Sequence, residues 1–242
     1  MVLKVLGSSS SGNCYILDNG DEALIIEAGV RFIDVKKAIG FNFRKVVGCL
    51  ITHAHGDHSK YAKIMVDKGI HTLALPEVFN ARDSWGSRAK VVEVGKWYKI
   101  GGFKVLPFPA YHDVPCLGYI IDHPSCGKLL FLTDSYDCPY RFGKLNHILI
   151  ECNYSEKNLV DAIRDGRTLL SQRARLLQSH MELDTCKEIL RGIDLGYVQD
   201  IVLLHLSDNN SNEGYFVSEI ERLTGKAVYA AKKGLTICID KV

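Results

Sequence analysis

The 242 residues are 47% apolar and carry a formal net charge of +2, which excludes a disordered chain and does not demand an acidic partner. No apolar run is long enough to span a bilayer, which argues against a membrane helix, and no low-complexity tract or solenoid-period repeat is present. The eight cysteines are scattered, mostly in apolar runs and without a Cys-x-x-Cys pair, so buried reduced thiols are expected rather than disulfides or a thiolate metal site.

The first six residues are apolar apart from Lys4 and break at Gly7-Ser8, too short for a signal h-region. A soluble, cytoplasmic chain with one domain over 1–242 is expected. Strands are expected over 2–6 and 14–18, around a Gly/Ser loop. The open backbone of that loop, with Ser10, Ser11 and Asn13, suits an anion such as phosphate, and suits a plain hairpin turn equally well. A strand over 22–26 ends at Glu27, and a short helix follows over 31–39. The apolar run 46–51 reads as a buried strand. It leads into Thr52-His53-Ala54-His55-Gly56-Asp57-His58, which holds three of the nine histidines. His53 and His55 are two apart, so on extended backbone they point the same way. Asp57 and His58 follow the small Gly56, where the chain can turn. One metal could be held by the first pair and a second by the other.

The spacing His-x-His-x-Asp-His after a hydrophobic strand and a Thr resembles the signature of the metallo-β-lactamase superfamily of metal-dependent hydrolases. That resemblance implies an α/β fold, a four-layer αβ/βα sandwich of two mixed sheets flanked by helices, with a two-metal site at one edge. Relatives often carry Asp where this chain has Glu27.

A helix from Ser59 as N-cap to about residue 68 is expected, then a strand near 71–75 and a helix opened by Pro76. Residues 90–132 are β-rich, with strands expected over 90–94, 98–100, 103–108, 117–122 and 128–133. His112 and Asp134 each follow a strand. Their order after the histidine packet suits a third imidazole for the first metal and a carboxylate bridging both. His71, His123 and His147 are read as structural. A strand over 146–151 ends in Glu151, and helices are expected from about 155 to 193. Between Gly166 and Met181 stand Arg167, Arg173 and Arg175 with no acid among them. They are a solvated helix face or a phosphate grip leading to His180. A strand over 201–206 carries His205, followed by Ser207. A helix over 214–224 and strands near 227–229 and 234–239 close the chain.

The expected metal ligands are thus His53, His55 and His112 on one ion, Asp57, His58 and His205 on the other, and Asp134 between them. Two divalent ions, zinc or manganese, suit this donor set. A metal pair lowers the pKa of a shared water and offers a hydroxide nucleophile for ester, amide, thioester, lactone or phosphodiester cleavage. Glu151 with His180 resembles the pair that ribonuclease Z uses near the leaving group, and His205 with Ser207 resembles its His-x-Ser motif. Asp57, Glu151 and His180 are the expected catalytic residues. Ser10, Ser11, Asn13, Arg167, Arg173, Arg175 and Ser207 are the expected substrate contacts.

A fuller resemblance is to the YycJ/WalJ-type exonucleases of this superfamily. It rests on residues 7–15 (GSSSSGNCY), the packet 52–58, His112-Asp113 followed by Gly118-Tyr119, Thr133-Asp134, Glu151-Cys152-Asn153, residues 178–183 and residues 205–210. The family usually has Ser-Asn-His after the Glu, where this chain has Cys152-Asn153-Tyr154. The resemblance implies metal-dependent cleavage of DNA from a 5′ end, with nucleic acid as substrate and no membrane partner. A small-molecule phosphodiesterase for a cyclic or capped nucleotide is the alternative, and a lactone or ester hydrolase comes third.

Overall fold

The computed structural model describes residues 1–241. Fourteen strands and eight α-helices are present among the described residues. The chain divides into two compact units. The first comprises Met1–Pro109, Val114–Gly127 and the chain from Lys232, and the second comprises Ala110–Asp113 and Lys128–Ala231.

The first unit contains β1 (Val2–Gly7), β2 (Cys14–Asp18), β3 (Ala23–Ile26), β4 (Val46–Leu50), β5 (Thr72–Ala74), β6 (Ala89–Val91) and β14 (Thr236–Cys238). They form a seven-stranded sheet in the order β14-β1-β2-β3-β4-β5-β6. β1, β2 and β3 pair antiparallel, whereas β3, β4, β5 and β6 pair parallel, so the sheet is mixed. β2 and β3 are buried along their whole length, as continuous apolar runs dictate. Helices α1 (Phe32–Ala38), α2 (Gly56–Ser59), α3 (Ala62–Asp67) and α4 (Pro76–Ala81) belong to this unit. Their apolar residues, Phe32, Val35, Met65, Val66, Val78 and Phe79, join Ile16, Ile25 and Cys49 of the sheet, and Ile51 just beyond β4, in one core. β7 (Tyr98–Ile100) pairs antiparallel with β8 (Phe103–Ala110), and β9 (Cys116–His123) follows.

The second unit is built on β10 (Gly127–Leu132), β11 (His147–Glu151), β12 (Asp200–Leu204) and β13 (Ala227–Ala230), all paired parallel. With β7, β8 and β9 they make up the second seven-stranded sheet. Helices α5 (Glu156–Arg164), α6 (Leu170–Ser179) and α7 (Leu183–Arg191) connect β11 to β12, and α8 (Glu213–Thr224) connects β12 to β13. β11 and β12 are buried end to end. The fold is therefore α/β, with two mixed sheets and flanking helices, as expected.

The strand and helix boundaries agree with the sequence reading to within two or three residues, with one correction. Ser59 does not open a long helix. It closes the four-residue α2, and its hydroxyl donates to the carbonyls of Ala54 and His55. α3 begins only after Tyr61. The chain turns twice here because Ala28, at the end of β3, accepts the Tyr61 N–H and donates to the His58 carbonyl. The strand expected over 201–206 stops at Leu204, so His205 lies beyond it. All eight cysteines are free, and all but Cys238 are buried. No helix among the described residues is long and apolar enough to cross a membrane.

At one end of the first sheet Asp18 is buried between two lysines, 2.8 Å from both Lys4 Nζ and Lys45 Nζ. Burial opposes its charge, but the lysine hydrogen bonds outweigh this and hold the carboxyl at about 2, below the ordinary 3.8. A carboxyl depressed on folding stabilises the fold above its unfolded pKa and loses that stabilisation as pH falls through its folded pKa. Asp18→Asn is therefore expected to lower unfolding free energy at pH 7 by about 1–2 kcal/mol, allowing for partial screening. The deficit should shrink as the pH drops from about 4 to about 2, read from urea denaturation of both proteins across that range.

Candidate metal centre

The packet of the first unit begins where β4 ends. Beyond Leu50 the backbone continues through Ile51 and Thr52 to His53, and α2 starts at Gly56, so Asp57 and His58 sit in its first turn. His53 and His58 are fully buried. His53 Nε2 lies 3.1 Å from His55 Nδ1, and the His53 and His58 rings are 4.2 Å apart. Asp57 Oδ2 is 3.3 Å from His58 Nε2. The two pairs inferred from spacing, His53 with His55 and Asp57 with His58, are thus brought together locally. Donors of this kind, imidazole nitrogen and carboxylate oxygen, fit a divalent ion such as zinc or manganese.

Groups behind the packet hold its side chains. Asn13 donates from Nδ2 to Asp57 Oδ2 at 3.3 Å and lies 2.9 Å from His58 Nε2. Its backbone N–H donates to the Asp57 carbonyl at 2.7 Å. Asn13 is buried, whereas Ser10 and Ser11 stand at the exposed tip of the loop. Gly29 lets the backbones touch: a Cβ there would meet the Asp57 carbonyl oxygen at 1.6 Å. Glu27 is fully buried, with left-handed backbone at φ 68°. One of its oxygens is 3.4 Å from His58 Nδ1 and the other accepts from the Thr52 N–H at 3.4 Å. Burial raises its pKa, while His58 opposes the rise. The residue whose role the sequence left open is the orienting partner of His58.

In the second unit the site residues stand at the C-terminal ends of adjacent parallel strands, where the residues of an open α/β sheet gather. Asp134 follows β10, Glu151 ends β11 and His205 follows β12. Asp134 and His205 also have left-handed backbone, at φ 49° and 52°. His180 caps the C-terminus of α6. Ligand atoms of Asp134, Glu151, His180 and His205 lie within 4.8 Å of one another. His180 Nδ1 is 2.7 Å from Glu151 Oε1 and 3.1 Å from Asp134 Oδ1. Its ring stacks on that of His205, with centroids 5.2 Å apart. Burial disfavours the charged imidazole, but Glu151 and Asp134 overcome this and raise its pKa to about 10. His112 faces the Ser179 carbonyl with Nδ1 at 2.8 Å, which places its proton on Nδ1, and its Nε2 lies 3.1 Å from Asp113 Oδ1. Burial lowers the pKa of this imidazole despite the nearby acids.

The back of this cluster is also anchored. Glu151 Oε2 accepts from the Ser135 N–H at 2.9 Å and the Met181 N–H at 3.3 Å, which turns Oε1 to His180. Asn153 Nδ2 donates to the His205 carbonyl and lies 3.1 Å from His205 Nδ1. Asn153 was not among the expected site residues. Its only local signal is its place two residues beyond Glu151. Ser207 accepts from the Asn210 backbone and side chain and so shapes the loop after His205. Arg167 donates to the Asn209 carbonyl and pairs with Asp165, Arg173 pairs with Glu156, and Arg175 pairs with Asp113. The acids missing from 166–181 come from elsewhere in the chain. His71, His123 and His147 are engaged with Arg88, Glu22 and Asp200 respectively.

Residues 9–123 match the sequence model of the metallo-β-lactamase superfamily. Over nearly its whole length the chain has a fold similar to that of solved structures: the metallo-β-lactamase-fold protein YhfI from Bacillus subtilis superposes with a TM-score of 0.71, at 16% identity, over 98% of this chain and 99% of that one. Zn²⁺-bound PqqB from Methylobacterium extorquens gives 0.73, at 13% identity, over 98% and 100%. The matched segment, the overall fold and the His/Asp clusters are similar to those of metallo-β-lactamase-fold metal-dependent hydrolases. Among curated proteins the chain is similar to the exodeoxyribonuclease YycJ of Bacillus anthracis, 25% identical over 224 residues, covering 86% of this chain and 84% of that protein. The exodeoxyribonuclease WalJ of Streptococcus pneumoniae is 24% identical over 225 residues, covering 86% and 82%.

Removing a partner that orients a metal-ligating histidine typically costs about 10- to 100-fold in affinity. Glu27→Gln and Asn153→Ala are each expected to weaken Zn²⁺ or Mn²⁺ binding by that factor, measured by titration calorimetry on the metal-stripped protein. Unchanged affinity in both would show that neither residue orients a ligand.

Proposed function

We propose that the protein is a dinuclear-metal phosphodiesterase that acts as an exonuclease on DNA. His53, His55, Asp57, His58, His112, Asp134 and His205 are the proposed ligands. When bound, two divalent ions supply a water-derived nucleophile near neutral pH and offset charge on the phosphate. The observation that carries the phosphodiester reading is His180, held at Nδ1 by Glu151 and Asp134. A phosphodiester expels an alkoxide, which is a poor leaving group unless it is protonated, and an imidazolium fixed at Nδ1 by carboxylates can give its Nε2 proton to that oxygen. The exodeoxyribonuclease names of the curated relatives support nucleic acid as the substrate class. The eight free thiols suit a reducing, cytoplasmic setting.

A second reading, a small-molecule phosphodiesterase, is favoured by one observation: Arg167, Arg173 and Arg175 each already face a carboxylate of this chain. Such an enzyme would share every catalytic residue and be indifferent to replacement of these arginines.

The test is cleavage of 5′-labelled and 3′-labelled DNA duplexes with Mn²⁺, beside bis(p-nitrophenyl) phosphate, whose activated leaving group needs no acid. His180→Ala is expected to lose about 10²- to 10⁴-fold on DNA and far less on the activated ester. Asp134→Ala should lose both. Nucleotide release from one labelled end identifies the exonuclease and its polarity. Turnover of the small ester alone, with no cleavage of DNA or RNA, would move the assignment to the second reading.

A further inference from the structure

Four aromatic side chains of the second unit, two of them one and two residues along the chain from proposed ligands, take no part in the chemistry above. Tyr111 immediately precedes His112, so their Cα atoms are about 3.8 Å apart. Tyr136 is two residues beyond Asp134, within about 7 Å along the chain. The Tyr111 and Tyr136 rings meet edge to face, with centroids 5.9 Å apart. Tyr140 and Phe142 pair at 6.5 Å, and the Tyr140 hydroxyl is hydrogen-bonded to that of Tyr111. Tyr136 is 40% exposed, and Tyr111, Tyr140 and Phe142 are half-buried. The group is therefore a surface feature, not part of the core.

Its backbone is fixed to the same frame as the ligands. The Tyr136 N–H donates to the Tyr111 carbonyl at 2.9 Å, and the Tyr111 N–H donates to the Ser135 hydroxyl at 2.8 Å. That hydroxyl donates to the Asp137 carbonyl at 2.7 Å, and the Ser135 N–H donates to Glu151. Two aromatic rings are thus positioned by the hydrogen bonds that position Glu151. Aromatic rings placed this way offer a flat apolar face ready for a planar partner, at little further entropic cost.

We propose that Tyr111 and Tyr136, braced by Tyr140 and Phe142, form a stacking platform for the terminal nucleobase of the strand being cleaved. The inference rests on the nuclease reading and names the feature that selects a nucleotide over a bare phosphodiester. Tyr111 and Tyr136 are one and two residues along the chain from the proposed ligands His112 and Asp134, about the span between a phosphate and its own base. Every base has a π-face, so stacking holds a strand end without regard to sequence, as an exonuclease requires. The paired arginines do not supply such a contact.

Stacking on an aromatic side chain contributes about 5- to 150-fold per base. The experiment compares kcat/KM for a single-stranded oligonucleotide with that for the same strand carrying an abasic residue, placed in turn at each terminal nucleotide, with Mn²⁺. Wild type is expected to lose about 5- to 150-fold on one abasic end, mainly through KM. Tyr136→Ala should lose a similar factor on the intact strand and become insensitive to the missing base, while Tyr136→Phe should behave as wild type. Equal cleavage of intact and abasic strands by wild type would overturn the platform and leave the nuclease reading standing. Wild-type sensitivity retained in Tyr136→Ala would overturn it in the same way. No cleavage of any strand would overturn both.

Discussion

Three site residues, Glu27, Asp134 and His205, share a backbone conformation that side-chain-bearing residues avoid, and each stands just past a buried strand end. A left-handed residue other than glycine costs about 1 kcal/mol or more, because Cβ crowds the backbone. Glycine would remove that cost at each position, but glycine has no ligand atom. The strain is sustained because the strands on either side are pinned. β3 is held by β2 and β4, and β12 by β11 and β13, so the chain has no freedom to relax at their exits. The extended run stops at that residue, and its side chain is presented at the strand end.

Burial then sets the electrostatics. A buried carboxylate is costly unless hydrogen bonds and opposite charge compensate it. Glu151 solves this by division: one oxygen is saturated by two backbone N–H groups, and the other faces His180. Asn13 and Asn153 do the corresponding service for Asp57 and His205, as Glu27 does for His58. In each case the supporting group contacts the proposed ligand and limits the orientations it can adopt. Loss of such outer contacts typically changes metal affinity about 10- to 100-fold.

The arginine-rich segment and the aromatic loop show how composition misleads about surfaces. Counting charges over 166–181 gives a basic stretch, yet each arginine finds an acid that lies outside that window, in Asp165, Glu156 or Asp113. Exposed pairs of this kind add little stability, so they can open to meet a phosphate at modest cost. The aromatics drew no attention in the sequence because Tyr111 and Tyr136 are 25 positions apart and neither lies in a periodic pattern. Only the short backbone pairing between residue 111 and residues 135–136 sets their rings together.

The sequence by itself determined the strand and helix order, through apolar runs of strand length and the Pro and Gly that punctuate them. It also determined the histidine packet, because His53, His55, Asp57 and His58 meet through spacing within one short turn. The placement of Asp134 and Glu151 at strand ends was legible for the same local reason, whereas His205 was expected inside a strand that stops one residue before it. The pairing of Glu151 with His180 was expected from the resemblance alone, and the tertiary structure decided the other groups that support the site. His180 meets Glu151 across 29 positions, Asn13 meets Asp57 across 44, and Asn153 meets His205 across 52. Contacts at such separations follow from strand order and from the left-handed exits, and side-chain periodicity carries no record of either.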